Sequence, residues 1–178
     1  MKKIICIALT LSVLFSVEAC HNNSRQAKNY NNKTSVDGEG LTFLKNGLEG
    51  SYAEIKLSQL AEQNSQNSEV LDFAKMMITD HSDIVNDMEQ LAKKENVITS
   101  DSLTLAHQQM IDQLKNKTGA DFDKTYMQTM VTDHEKAVKL YESATTDKNH
   151  NIQDFALKIL PKIKEHLTQA NDLCTDLK

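Results

Sequence analysis

Four polar residues occupy places where a helix seam would otherwise be apolar: Glu54, His81, His134 and His166. Two of the histidines close a repeated motif, Phe73-Ala-Lys-Met-Met77-Ile-Thr-Asp80-His81 and Tyr126-Met-Gln-Thr-Met130-Val-Thr-Asp133-His134, whose copies lie 53 positions apart. Neutral imidazole is costly to bury unless a hydrogen bond or a metal satisfies its nitrogens. A duplicated seam histidine therefore points to a site. Three imidazoles with one carboxylate are the donor set of a mononuclear centre, with zinc, iron, manganese or copper as the candidate transition-metal ion. Asp80, Asp133 and Glu165 each directly precede a histidine. Neighbours on a helix point about 100° apart, so each acid flanks the seam. There it can accept the second N–H of an imidazole from an adjoining helix and orient it, or serve as an alternative ligand. The competing reading is a structural or interaction module without metal, in which these groups only hydrogen-bond one another and fix the bundle's register.

Several other chemistries are disfavoured. Di-iron bundles take Glu-x-x-His from two helices, and the one Glu-x-x-His of this chain, Glu18 to His21, precedes all the predicted helices. No Ser-His-Asp order, phosphate loop or cofactor fingerprint supports an enzyme. Met77 and Met130 sit one turn before their histidines and would suit Cu(I), but methionine more commonly fills gaps in a core. His107 lies on its own short seam (Leu103, His107, Met110, Leu114) and reads as a surface or interface histidine.

The elements that must position these groups are helices. Past residue 37 there is one proline, Pro161, and glycine is scarce after Gly40. Period-two β-branched runs are absent, as in an all-α composition. The pattern predicts long helices at 38–64, 68–95, 120–145 and 149–177, and a shorter one at 101–117. Val70, Ala74, Met77, His81, Ile84, Met88 and Leu91 alternate steps of four and three, as do Ile152, Ala156, Ile159, Ile163, His166, Ala170 and Leu173. That spacing belongs to helices packed at small angles in a four-helix bundle. Ser68 can open the second helix and Ser100 or Asp101 the short one. Gly119 suits a left-handed position closing the helix before it.

Short turns make the first two and last two long helices antiparallel hairpins, while Asn96–Gly119 is long enough to run the bundle's length. One long crossover between two hairpins is the ferritin-like arrangement; an up-down-up-down bundle with an extra helix is the alternative. In either, residues near the helix centres share one layer whichever way each helix runs. Glu54, His81, His134 and His166 are all near centres. Pro161 frees the carbonyl of Leu157 and bends the last helix, either as curvature around the core or to admit a ligand.

The first nineteen residues, Met1–Ala19, are read as a targeting segment, with Lys2 and Lys3 before a mostly apolar run. That run is shorter than the roughly 20 residues of a membrane span. Val17-Glu18-Ala19-Cys20 resembles a bacterial lipobox, apart from the unusual Glu18, and implies cleavage before Cys20 and its acylation; an ordinary signal peptide is the alternative. Cys174 is then the lone thiol, and without lipidation a Cys20–Cys174 bridge competes. Cleavage removes two lysines and one glutamate and takes the formal charge from −5 to −6. A mildly acidic chain without a basic patch argues against nucleic acid as a partner. Residues 20–36 read as a lipidated Asn-rich tether, with a coil reach on the order of 20 Å, and 37–178 as one bundle domain. The expected partner is the membrane, through a lipid anchor.

The ordered set Tyr52-Ala-Glu54-Ile, Phe73-Ala…Met77-Ile-Thr-Asp80-His81, Phe122-Asp123-Lys-Thr-Tyr126, Asp133-His134 and Leu160-Pro161…His166-Leu resembles an uncharacterised ferritin-like family of bacterial envelope proteins. Its members are often labelled outer membrane proteins or domains of unknown function. The resemblance spans about residues 38–177. It implies a ferritin-like bundle in the cell envelope, lipid-anchored at the outer membrane and facing the periplasm or exterior. It implies no activity.

Overall fold

The computed structural model describes residues 34–177. Five helices account for most of it: α1 Gly38–Asn64, α2 Ser68–Lys94, α3 Leu105–Lys115, α4 Gly119–Ala144 and α5 His150–Asp176. No strand occurs among the described residues. The targeting segment, Cys20 and most of the tether lie outside them.

Local chemistry explains the boundaries. Asp37, Asn67 and Asn149 each accept two backbone N–H groups at the start of α1, α2 and α5, satisfying donors that a helix leaves unpaired. Ser68 is thus the first residue of α2, behind its Asn67 cap. α3 starts later than the sequence predicts, because Thr104 accepts from the His107 N–H and takes the capping role assigned to Ser100 or Asp101. α2 stops at a left-handed Asn96 (φ 56°). The N–H groups of Asn96 and Val97 return to the carbonyls of Lys93 and Ala92, at 3.2 and 2.8 Å, while Val97 tucks into the core. This is the Schellman closure. Gly119 is left-handed as expected (φ +56°) but opens α4 rather than closing α3.

Packing decides the topology. One apolar cluster joins Phe43 and Leu48 of α1 to Ile84 and Met88 of α2, Tyr141 of α4 and Ile152 and Ile159 of α5. A second joins Leu57 and Ala61 of α1 to Phe73 and Met77 of α2, Phe122 and Met130 of α4 and Ala170 of α5. The first half of α1 therefore meets the second halves of α2 and α4, so α1 is antiparallel to both. Consequently α2 and α4 are parallel, and the crossover from Glu95 to Thr118 runs the length of the bundle. That is the ferritin-like order, not up-down-up-down.

On its way the crossover lays α3 across α1 and α4 and inserts Ile111 and Leu114 into the second cluster. Met77 and Met130 also pack in that cluster, both fully buried. α5 continues unbroken through Pro161. Pro161 and Leu157 lie on the exposed face, where water can reach the carbonyl that the proline leaves without an N–H partner. The last residues of the tether are not loose: the Ser35 N–H donates to the Glu95 carbonyl at 3.1 Å, and Val36 packs against the first cluster. No described helix is long and apolar enough to cross a membrane.

Candidate metal centre

Between the two apolar clusters lies a polar layer. His81 comes from α2, His134 from α4 and His166 from α5, each at most 1% exposed. Their ring centroids form a nearly equilateral triangle with sides of 5.6, 5.3 and 5.5 Å. One ring nitrogen from each lies within 4.8 Å of those from the other two. The seams explain the convergence. Each histidine replaces an apolar residue on the inward stripe of its helix, between Met77 and Ile84, after Met130, and between Ile163 and Ala170.

Each imidazole has one nitrogen engaged. Glu54 of α1 spans two of them, with Oε2 3.1 Å from His81 Nδ1 and Oε1 3.2 Å from His134 Nδ1. His81 Nδ1 also lies 3.2 Å from Ser51 Oγ, and His134 Nδ1 lies 3.0 Å from the Met130 carbonyl. His166 Nε2 is 2.9 Å from Asp80 Oδ2, whose other oxygen accepts from Lys162 Nζ at 2.6 Å. These partners assign the tautomers. A carbonyl can only accept, so Nδ1 of His134 carries its proton. An ion-paired carboxylate can only accept, so Nε2 of His166 carries its proton. At His81 an ionised Glu54 accepts from Nδ1 in the same way, whereas a protonated Glu54 or Ser51 Oγ can donate to it. What remains is His81 Nε2, His134 Nε2 and His166 Nδ1, all buried without a hydrogen-bond partner. With Glu54 ionised, these are three lone pairs without a proton among them, which repel and cannot satisfy one another.

The electrostatics agree. Burial pushes His81 well below the ordinary imidazole range, reinforced by His134 and His166. Burial, with His166 next, takes His134 down to about 4, against the stabilising Met130 carbonyl. Burial also lowers His166, against the opposing pull of Asp80. Burial pushes the Glu54 carboxyl well up, and the nearby Asp133 adds to this. The layer therefore favours neutral imidazoles, the form that ligates metal.

The sequence-predicted residues divide as follows. Glu54, His81, His134 and His166 share the layer, but Glu54 sits behind two imidazoles, at their Nδ1 atoms, rather than among the free nitrogens. Asp80 is behind His166, because α2 and α5 are neighbours and the offset of one residue turns it towards α5. Asp133 and Glu165 orient no cluster imidazole by hydrogen bond. The same offset turns Asp133 towards α3, where it accepts from Lys136 Nζ at 2.9 Å and lies 3.7 Å from His107 Nε2. It turns Glu165 out to solvent, where it accepts from Gln169 at 3.3 Å.

His107 stands at an interface between helices, with partners the sequence did not indicate. Its side chain is 16% exposed and stands between α1 and α4, with Nδ1 2.7 Å from Glu49 Oε1. Asp133, against the opposing effect of burial and with Glu49 alongside, pushes its pKa up to about 9, so it is a cation at neutral pH. The short seam of α3 reads His107 as a surface or interface histidine, but nothing in the sequence gives the height at which the crossover passes the layer, and Glu49 carries no signal. Beneath His107 lies a cavity of about 460 Å³ lined by Glu49, Asp133, Tyr141, Glu54 and His81, among others.

A crystal structure of a DUF305 fragment from Deinococcus radiodurans has the same fold. It superposes with a TM-score of 0.70 over 79% of this chain and 98% of that one, at 12% identity. At that identity the likeness is one of fold alone. No curated protein matches the sequence. Residues 25–173 match the family described as a domain of unknown function, DUF4142, and with most of its length and its whole polar layer inside that match, the chain belongs to the DUF4142 family.

Proposed function

We propose that this protein is a transition-metal-binding bundle of the bacterial cell envelope, tethered through a lipidated Cys20 and holding one ion at His81, His134 and His166. The observation that carries the reading is the set of three buried imidazole nitrogens left without a hydrogen-bond partner, in rings whose other nitrogens face Glu54, Ser51, the Met130 carbonyl or Asp80. Buried polar atoms are nearly always paired, and a cation is the partner that three convergent lone pairs share. Imidazole donors suit zinc, copper and iron. Metal–nitrogen bonds are 2.0–2.1 Å long, so the free nitrogens, which lie within 4.8 Å of one another, would draw closer to share one ion. Glu54 and Asp80 then do for the histidines what carboxylates behind metal-bound imidazoles generally do, holding the ring and raising its basicity. Three protein ligands leave a coordination position for an exogenous group.

The test is elemental analysis of the bundle purified without a histidine tag, followed by thermal melting of apo protein with added Zn²⁺, Mn²⁺ or Cu⁺. One ion per chain and a melting temperature raised by mass action are expected, and His134→Ala should abolish the shift. A shift that survives the triple histidine substitution, or none with any of these metals, leaves the structural-module reading in its place.

A further inference from the structure

We propose that the cavity between α1 and α4 is the route by which the cation reaches the three histidines, and that His107 is the plug it displaces. This rests on the metal reading. Other routes to the layer are poorly suited to a cation. Its two ends are covered by the apolar clusters. On the α2–α5 side, Asp80 is already occupied by the Lys162 ammonium and by His166, with a second ion pair, Lys158–Asp87, on the same flank. A cation arriving there meets like charge.

The α1–α4 side also carries an ammonium, Lys136 at Asp133 Oδ1, but it gathers three carboxylates along one cavity. Along it lie Glu49, 16% exposed, then Asp133 at 7% and Glu54 at 5%, and finally His81 at 1%. All four line the one cavity. A divalent ion sheds water at a high cost unless oxygen ligands replace it, and a file of carboxylates of increasing burial supplies them. The cavity also holds two buried polar atoms with no hydrogen-bond partner, Asp133 Oδ2 and Tyr141 OH. Space for the passage comes from small residues of α1, Gly50 and Ser51. A Cβ built on Gly50 meets nothing within 4 Å.

His107 stands where this file opens. Its imidazole lies 2.7 Å from Glu49 and 3.7 Å from Asp133, occupying the outer pair of carboxylates as an arriving cation would. The clasp is lightly built. α3 buries only Ile111 and Leu114, both beyond His107, and its first turn is tied to α1 through Glu49, which accepts from the Thr104 N–H at 2.7 Å and faces His107. An ion that takes Glu49 and Asp133 releases His107 and the start of α3 together.

The experiment is stopped-flow uptake of Co²⁺ by the apo bundle, followed by its absorbance, with release measured into excess chelator. His107→Ala should raise uptake and release rates together by about tenfold, leaving the dissociation constant within about threefold. Gly50→Leu, which grows a side chain into the passage, should slow both rates by a similar factor. Circular dichroism checks that each variant keeps its helices. Unchanged rates in both variants, with normal equilibrium binding, would overturn the route and leave the metal site intact. So would a His107→Ala variant that changes release alone, which would make His107 a brace of the site. Failure of wild-type protein to take up Co²⁺ at all overturns the metal reading, and the route with it.

Discussion

Asp80 on α2 places Oδ2 2.9 Å from Nε2 of His166 on α5, and this one contact settles which nitrogen of that ring is free to act as a base. Burial alone would raise the Asp80 carboxyl, but hydrogen bonds from Lys162 and His166 outweigh it and hold the group below its ordinary range. Asp80 is therefore ionised at neutral pH and can only accept. Asp80→Asn keeps the shape but can offer an N–H to Nε2, which frees the other tautomer. Metal affinity should fall about 10- to 100-fold, the usual effect of losing a group behind a ligating histidine. Competition titration with a chromophoric chelator reads it. An unchanged affinity would mean that Asp80 does not set the ring.

The apo bundle should be sensitive to mild acid. The layer's histidines titrate below their unfolded value of 6.5, His134 at about 4. The unfolded chain therefore takes up protons before the folded one. Their contribution is present above pH 6.5 and is lost as pH falls towards 4. The melting temperature should drop across that window, with a smaller drop in His134→Gln. A bound metal that excludes protons from the same nitrogens should keep the protein folded further into it.

His107 carries the opposite sign. Its folded pKa is raised from 6.5 to about 9, so the clasp's contribution is full below pH 6.5 and fades as pH rises through 9. Melting curves should decline between these values in wild-type protein and run flatter in His107→Gln. Equal slopes would argue against the Glu49–His107–Asp133 contacts as a charged clasp.

Gly50→Ala offers a stability gain. The added methyl meets no atom within 4 Å, and alanine in a helix interior is favoured over glycine by about 0.5–1 kcal/mol. Denaturant melts should show it as a raised midpoint with an unchanged slope.

Anchoring is tested at Cys20, which lies outside the described residues. Cys20→Ser should release the protein from membranes and abolish metabolic fatty-acid labelling. Continued membrane association with no label in wild-type protein would remove the lipoprotein assignment.

Much of this architecture was legible from spacing. Alternating steps of three and four gave the long helices within a residue or two, because a seam facing a core cannot vary its period. The shared height of His81, His134 and His166 followed from their mid-helix positions without knowledge of helix direction. The topology was open until Phe43 and Tyr141 were seen in one cluster, which requires α1 and α4 to be antiparallel. Asp80, Asp133 and Glu165 look equivalent in sequence, yet only Asp80 faces a neighbouring imidazole, because what an offset residue meets depends on which helix lies beside it. Whether Glu54 sits among the free nitrogens or behind the rings depends on imidazole rotamers, which carry no sequence signature. The partners of His107 were not legible, because a crossover has no period to reveal its height.

The polar layer has a consequence for how the molecule opens. It divides the interior into two oily halves, each stitched from segments of all four long helices, with three unpartnered imidazole nitrogens at the boundary. Such a boundary is a line of weak cohesion. Amide hydrogens in the two halves of apo protein should then exchange as separate cooperative units. A single ion at the boundary would bind three helices across it at once, with α1 joined through Glu54, and both halves would open only together.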